Sequence, residues 1–221
     1  MQKEVVKMIN TLIFDLDGTL VDSIEDLAQA TNHFLKEDHL PLHDIEDYRL
    51  FVGNGVDKLI ERALPDERKH LVKEYRQRFD LYYQEHCLDQ TKPYLHMKEL
   101  IDTLFKEGYK MAVVTNKPKA NAVTIVNTLF PGRFSYVFGN TPYQPKKPHP
   151  CLTQLAMQLL DSRKEETLYI GDSHVDIETA KNAKLKSVGC TWGFRGREEL
   201  ENAGATYIVD DPLDILKLLD E

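Results

Sequence analysis

The sequence predicts an α/β fold whose parallel sheet is covered on both faces, and three observations carry that expectation. Short β-rich runs alternate with amphipathic helical stripes along most of the chain. The first run, Thr11-Leu12-Ile13-Phe14, leads straight into Asp15. From about Val21 to Asp89 the alternation stops and only helical periodicity remains.

Taken in order, the later strands are expected at 110–114, 136–138, 167–170, 187–189 and 207–209. Met97, Leu100, Ile101, Leu104 and Phe105 form one helical stripe, which Gly108 terminates. Leu152, Leu155, Ala156, Leu159 and Leu160 form another, opened by Pro150. Within the interruption, Ser23 and Asp26 resemble a capping box, followed by Ile24, Leu27, Thr31, Phe34 and Leu35 at helical spacing. Further helical patterns cover Val56 to Leu64 and Pro65 to about Cys87. A parallel crossover usually needs a single helix. Several helices inserted after the first strand therefore read as a subdomain standing over the carboxyl ends of the strands, where open α/β sheets place their sites. The segment reads as a lid.

Composition narrows the classes. The 221 residues are 42% hydrophobic and 29% charged, with a net charge of −8, so there is no basic footprint for nucleic acid or an anionic membrane. No apolar run approaches the roughly 20 residues of a transmembrane helix. The opening MQKEVVKMIN is too polar for a signal peptide, and Met8 is a second candidate start. Cys87, Cys151 and Cys190 lie far apart with no metal-type spacing, which suits a reducing compartment and a cytoplasmic location.

Four segments carry chemistry. Asp15-Leu16-Asp17-Gly18-Thr19 follows the first strand, and its spacing lets both carboxylates enter one crevice while Gly18 permits a sharp turn. An acidic turn that solvates a strand end is the plain alternative. An EF-hand is a poor match, because the glycine comes too early and a strand precedes it. Thr115-Asn116 offers a hydroxyl and a backbone turn suited to phosphate oxygens, or else a helix cap. Pro145-Lys146-Lys147-Pro148-His149-Pro150 fixes its lysines between prolines, so that one ammonium can be aimed at a phosphate; a solvated basic loop is the alternative. Gly171-Asp172-Ser173-His174-Val175-Asp176 sets one carboxylate at a strand end and another in the next helical turn, as a hard cation requires. Helix capping and dipole compensation would use the same residues. Each alternative is plausible singly, but all four segments fall in order at strand ends, which capping explains poorly.

With these residues in view, the sequence resembles the haloacid dehalogenase-like hydrolase superfamily and, within it, the phosphoglycolate phosphatases. Residues 14–23 match the first family motif, Val114-Thr115-Asn116-Lys117 the second, Lys147-Pro148-His149-Pro150 the third and residues 171–176 the fourth. Phe51-Val52-Gly53-Asn54-Gly55-Val56-Asp57-Lys58-Leu59 resembles the substrate loop of phosphoglycolate phosphatases. The resemblance implies a Rossmann-like catalytic core, 1–17 and 90–221, with a small helical cap domain at 18–89.

It also implies a magnesium-dependent phosphatase, in which Asp15 is the nucleophile and Asp17 the acid and base. Thr115 and Lys147 complete the catalytic set. Thr19, Asn116, Gly53, Asn54 and Gly55 are the expected substrate-binding residues, for a small phosphorylated metabolite with 2-phosphoglycolate as first candidate. Magnesium is expected on Asp15, the Asp17 carbonyl and Asp172, with Asp176 supporting. Arg49, Lys58 and Arg62 flank the loop and are candidates to meet a substrate carboxylate, although a solvated helix face is the expected role for at least two of them. His174 reads as a helix-start residue, residues 192–195 as a packed loop, and Tyr75, Phe79, Tyr82 and Tyr83 as the cap's core stripe. A sugar phosphomutase and a non-enzymatic phospho-aspartate module are the competing readings.

Overall fold

The computed structural model describes residues 9–219; Met8 and most of the opening decapeptide lie outside the described residues. In chain order the elements are β1 (Thr11–Phe14), β2 (Val21–Asp22), α1 (Ile24–Glu37), α2 (Ile45–Phe51), α3 (Val56–Ala63), α4 (Val72–His86), β3 (Lys92–Pro93), α5 (Met97–Lys106), β4 (Lys110–Pro118), α6 (Lys119–Leu129), β5 (Tyr136–Asn140), α7 (Cys151–Leu159), β6 (Thr167–Gly171), α8 (His174–Ala183), β7 (Lys186–Cys190), α9 (Gly196–Asn202), β8 (Tyr207–Val209) and α10 (Asp214–Leu219). Six strands form one parallel sheet in the order β5-β4-β1-β6-β7-β8. No described helix is long and apolar enough to cross a membrane.

Strand alternation explains why both faces are covered. Leu12, Phe14, Met111 and Val113 pack with α5 and α6 residues such as Leu100, Leu104 and Ile125. Ile13, Ala112 and Val114 point the other way, into a second cluster with Leu152, Ala156, Ala180 and Ala183 from α7 and α8. With both faces buried, β1 has no exposed residue, and Asp15 comes immediately after it. Chain order reverses at β1, which pairs with β4 on one side and β6 on the other. The carboxyl ends of these three strands therefore open into one crevice.

The helices α1 to α4 lie between β2 and β3, two short strands that pair antiparallel as a separate ribbon. Sequence reading missed this ribbon, because two-residue strands carry no periodicity and one contains Pro93. Three other expectations need correction. Ser23 and Asp26 form no capping box: Ser23 Oγ donates to Asp17 Oδ1 at 2.6 Å, and buried Asp26 accepts from Gln90 N, Thr91 N and Thr91 Oγ1 at 2.6–2.9 Å. Asp26 thereby ties the start of the inserted helices to the segment where the chain returns to the sheet. The stretch after Pro65 starts as a 3-10 turn, Asp66–Leu71, before α4. Phe105 and Leu159 lie at the edges of their stripes and are exposed, Phe105 with the Arg133 guanidinium 4.7 Å from its ring centre.

Candidate active site

Asp15 leaves β1 with its amide still in the sheet, donating to Ile170 O at 2.9 Å. The chain then turns at Gly18, whose φ of +83° is the left-handed region glycine tolerates. Space demands glycine here as well. A Cβ at Gly18 would lie 2.4 Å from Asp172 Oδ2, and one at Gly193 would lie 2.3 Å from both Asp172 Cβ and Gly18 O. The two glycines let the turn after β1 and the loop after β7 close directly on Asp172. A third, Gly171, leaves room for Asp176, whose carboxylate carbon a Cβ would meet at 2.3 Å.

The result is a cluster of three buried carboxylates, Asp15, Asp172 and Asp176, each offering an oxygen within 4.8 Å of the others. One ammonium enters it. Lys147 Nζ lies 2.8 Å from Asp15 Oδ1 and 2.7 Å from Asp176 Oδ1. Both Asp172 oxygens and the second Asp176 oxygen have defined donors. Asp172 Oδ1 accepts from Thr19 Oγ1 at 3.2 Å and Oδ2 from Phe194 N at 2.8 Å. Asp176 Oδ2 accepts from Ser173 N at 3.1 Å and Ser173 Oγ at 2.6 Å. Asp176 thus caps α8 and holds Lys147 at once, so the capping and the site readings of that residue are both realised.

Three carboxylates against one ammonium leave a buried negative excess, and the charges respond. Burial pushes the Asp15 carboxyl up to about 6, with Lys147 opposing and Asp176 adding to the rise. Burial, Asp176 and Asp15 push Asp172 well above the usual carboxylate range. Burial also works against the charge of Lys147, yet Asp15 and Asp176 hold its ammonium well above its ordinary value. An all-oxygen donor set with surplus negative charge, enclosed by glycines, fits a hard divalent cation such as magnesium.

Asp17 stands apart from that cluster. Its carboxylate accepts from Ser23 Oγ and from Lys117 Nζ at 2.9 and 3.1 Å, and it faces the cavity between the sheet and the helical insertion. Lys117 also donates to Tyr83 Oη at 2.6 Å from α4. Thr115 Oγ1 accepts from Lys117 N at 3.2 Å. Asn116 bonds both backbone groups of Lys147, at 2.8 and 3.2 Å, and donates to Gly53 O at 3.1 Å. Its side chain therefore fixes the lysine loop and touches the insertion, a larger part than a backbone turn alone.

Most of the expected residues converge. Asp15, Asp17, Thr115, Asn116, Gly53 and Gly55 line the cavity. Lys147, Asp172, Asp176 and Thr19 lie behind it as the ion-paired cluster. Asn54 does not join them: its Oδ1 accepts from Arg62 Nη2 at 2.8 Å, outside the cavity. Arg62 gives Nη1 to Leu50 O and Phe51 O, while half-buried Arg49 and exposed Lys58 pair with Glu46 and Glu61. None of the three proposed loop cations enters the cavity.

Sequence reasoning quoted Lys117 only within the second motif and read Tyr83 as cap core, giving neither a part in the site, although strand alternation puts Lys117 on the same side as Thr115. Residues 192–195 do pack, and they also connect. Trp192 Nε1 donates to Thr19 O at 3.0 Å, Phe194 N to Asp172, and Arg195 Nη2 to Val52 O at 2.8 Å across to the insertion.

Comparison with known proteins agrees with this arrangement. A family model described as haloacid dehalogenase-like hydrolase matches residues 12–190. Phosphoglycolate phosphatase of Pectobacterium atrosepticum is 37% identical over 216 residues, covering 96% of this chain and 92% of the relative. That of Aquifex aeolicus is 32% identical over 213 residues, covering 96% and 97%. Among solved structures, a haloacid dehalogenase-like hydrolase of Streptococcus pneumoniae superposes with a TM-score of 0.86 at 26% identity, covering 96% of this chain and 98% of that one.

Proposed function

The chain belongs to the haloacid dehalogenase-like hydrolases and is a phosphatase, and from that premise we propose that it hydrolyses 2-phosphoglycolate or a similar small phosphorylated acid through an aspartyl-phosphate on Asp15. Lys147, clamped between Asp15 and Asp176, is the observation that carries the reading. It aims a fixed positive charge at the place where a phosphoryl group meets Asp15. Residues 18–89 act as the cap, and 1–17 with 90–221 as the catalytic core.

Asp15 attacks phosphorus, forming an O–P bond as the ester O–P bond breaks. Asp17, two residues on and facing the same cavity, gives its proton to the leaving oxygen. It then takes a proton from the water that attacks the aspartyl-phosphate, releasing inorganic phosphate and restoring Asp15. Thr115 and Lys147 hold the phosphoryl oxygens, and Asn116 keeps the Lys147 loop in place. Asp15, Asp172 and the Asp17 carbonyl would hold magnesium, with Asp176 behind them, and the ion would offset the repulsion between carboxylate and phosphate. Contacts from Asn116, Lys117 and Arg195 to the cap keep bulk water from Asp15.

The cavity between cap and core measures about 40 Å³. One water needs roughly 10–15 Å³ on that measure, so the cavity has room for only a few waters, which favours a short leaving group over a hexose. Phosphate release from 2-phosphoglycolate, glycerol phosphate, a hexose phosphate and a nucleotide, with magnesium and with chelator, tests the reading. The small acid is expected to lead in kcat/KM, and only with magnesium. A tenfold preference for the hexose phosphate or nucleotide would overturn the substrate, and full activity in chelator would overturn the metal.

A further inference from the structure

A small phosphorylated acid brings a carboxylate into a cavity whose walls are mostly apolar, formed by Leu27, Val52, Val56, Leu59, Tyr83 and Pro118. A carboxylate placed there without a counter-charge or donor is costly. The loop cations that flank the cap segment are committed elsewhere, Arg62 to backbone carbonyls and Arg49 and Lys58 to exposed glutamates. Lys147 is committed to the phosphoryl end of the site. Among the residues that line the cavity the one cation is Lys117, and its partners Asp17 and Tyr83 line the same cavity.

We propose that Lys117 and Tyr83 form the specificity element of this phosphatase, binding a carboxylate carried on the carbon next to the phosphoester oxygen. The inference rests on the proposed substrate class and names the residues that read it.

Distance sets the rule. The leaving oxygen must come within hydrogen-bonding reach of the Asp17 carboxylate in order to receive its proton. Lys117 Nζ already stands 2.9 Å from that carboxylate, on the cavity side, with Tyr83 Oη 2.6 Å beyond. In glycolate the carboxyl carbon is two bonds from the leaving oxygen. A carboxylate so placed is within reach of Nζ once the oxygen sits on Asp17, whereas one carried further along a chain would have its charge beyond that reach.

The donors suit the task. Lys117 has three N–H groups, which face the two Asp17 oxygens and Tyr83 Oη, so a bound carboxylate would take over one of those now given to Asp17. Tyr83 Oη accepts from Lys117, which turns its own hydrogen away from Nζ. The lysine is held firmly: its side chain is 1% exposed, and its Nζ lies 4.7 Å from the Tyr83 ring centre. Its strand, β4, is in the core, while Tyr83 is on α4 in the cap. A carboxylate bound by both would bridge the two parts, so the correct leaving group would also help to hold the cap in place.

The test compares 2-phosphoglycolate with ethyl phosphate, whose leaving group has the same two carbons but no carboxylate, and with an aryl phosphate, all with magnesium. Wild type is expected to favour 2-phosphoglycolate over ethyl phosphate at least tenfold in kcat/KM. Lys117→Met should collapse that ratio by about tenfold or more, the size of a lost charge-assisted hydrogen bond. Tyr83→Phe, which keeps the ring and removes one oxygen, should reduce it about three- to tenfold. A uniform fall on all three substrates, with the ratio intact, would mean that Lys117 serves only Asp17 or the fold, and would overturn the inference. If Lys117→Met does not fold, an unchanged ratio in Tyr83→Phe overturns it equally. A wild-type ratio near one with good aryl phosphatase activity would overturn the small-acid reading, and the inference with it.

Discussion

Replacing Lys147 by methionine keeps the unbranched apolar stem and removes the one ammonium from a site with three carboxylates. Two ion pairs disappear, of 2.8 and 2.7 Å, from a side chain only 3% exposed. Breaking a buried pair by deleting one partner costs about 3–5 kcal/mol, because the other charge stays buried. That is a large share of the 5–15 kcal/mol that typically holds a domain together. The pH dependence has a definite sign. Asp15 already titrates at about 6, above its value in an unfolded chain, so its ionised form costs stability above that pH and none below the unfolded value. Without Lys147 its carboxyl moves higher still. The stability deficit is therefore expected to be smaller at pH 5 than at pH 8, and added magnesium should narrow it at pH 8. Urea unfolding of wild type and variant at both pH values, with and without magnesium, measures this. Turnover should fall by about 10²- to 10³-fold with the charge at the phosphoryl group gone. The adjacent Lys146, a third exposed with a 3.4 Å pair to Asp57, supplies the control. Lys146→Met should cost about 0–1 kcal/mol and change turnover by no more than a few-fold. If the two variants behave alike, or if the Lys147→Met deficit grows on acidification, the reasoning fails.

Asp17→Asn should slow an alkyl phosphate more than an aryl phosphate in single-turnover quench experiments, since a good leaving group needs little protonation; equal losses would remove Asp17 from the acid role. Gly18→Ala should lower Tm by more than the about 2–8 °C that about 1–2 kcal/mol of left-handed strain gives, because the collision with Asp172 adds to it, and should weaken magnesium binding by calorimetry. Gly132→Ala, with a φ of +71° and nothing within 4 Å, isolates the strain, and a smaller loss at Gly18 than at Gly132 would count against the packed turn.

The residues that proved legible in the sequence are those fixed by local position. Asp15, Thr115 and Asp172 sit in or directly after strands buried on both faces, so a polar residue there has one place to go, the crevice at the strand ends. Gly18 was legible for its turn, but its contact with Asp172, far along the chain, was not. The pairing of Lys117 with Tyr83 was hidden for the same reason: one stands only as the last residue of a motif and the other as cap core until α4 is laid over β4. Ser23 and Asp26 show the opposite failure. Their spacing suited a local cap, but Asp17 and the returning chain at Gln90 and Thr91 offered partners that no window of sequence contains. Asn54 looked like a loop residue aimed at substrate, and Arg62, one helix on, claims it instead.

The central claim is that Asp15 carries the phosphoryl group, and trapping it there is the direct measurement. Wild type and Asp17→Asn would be mixed with 2-phosphoglycolate and magnesium, quenched in acid within milliseconds to seconds, digested and mapped by mass spectrometry. The account predicts phosphate on the peptide containing Asp15, its presence in Asp17→Asn persisting longer than in wild type, and none in Asp15→Asn, whose kcat should be lower by about 10⁴-fold or more. Phosphate on a different residue, or turnover in Asp15→Asn above about a tenth of wild type, would contradict it.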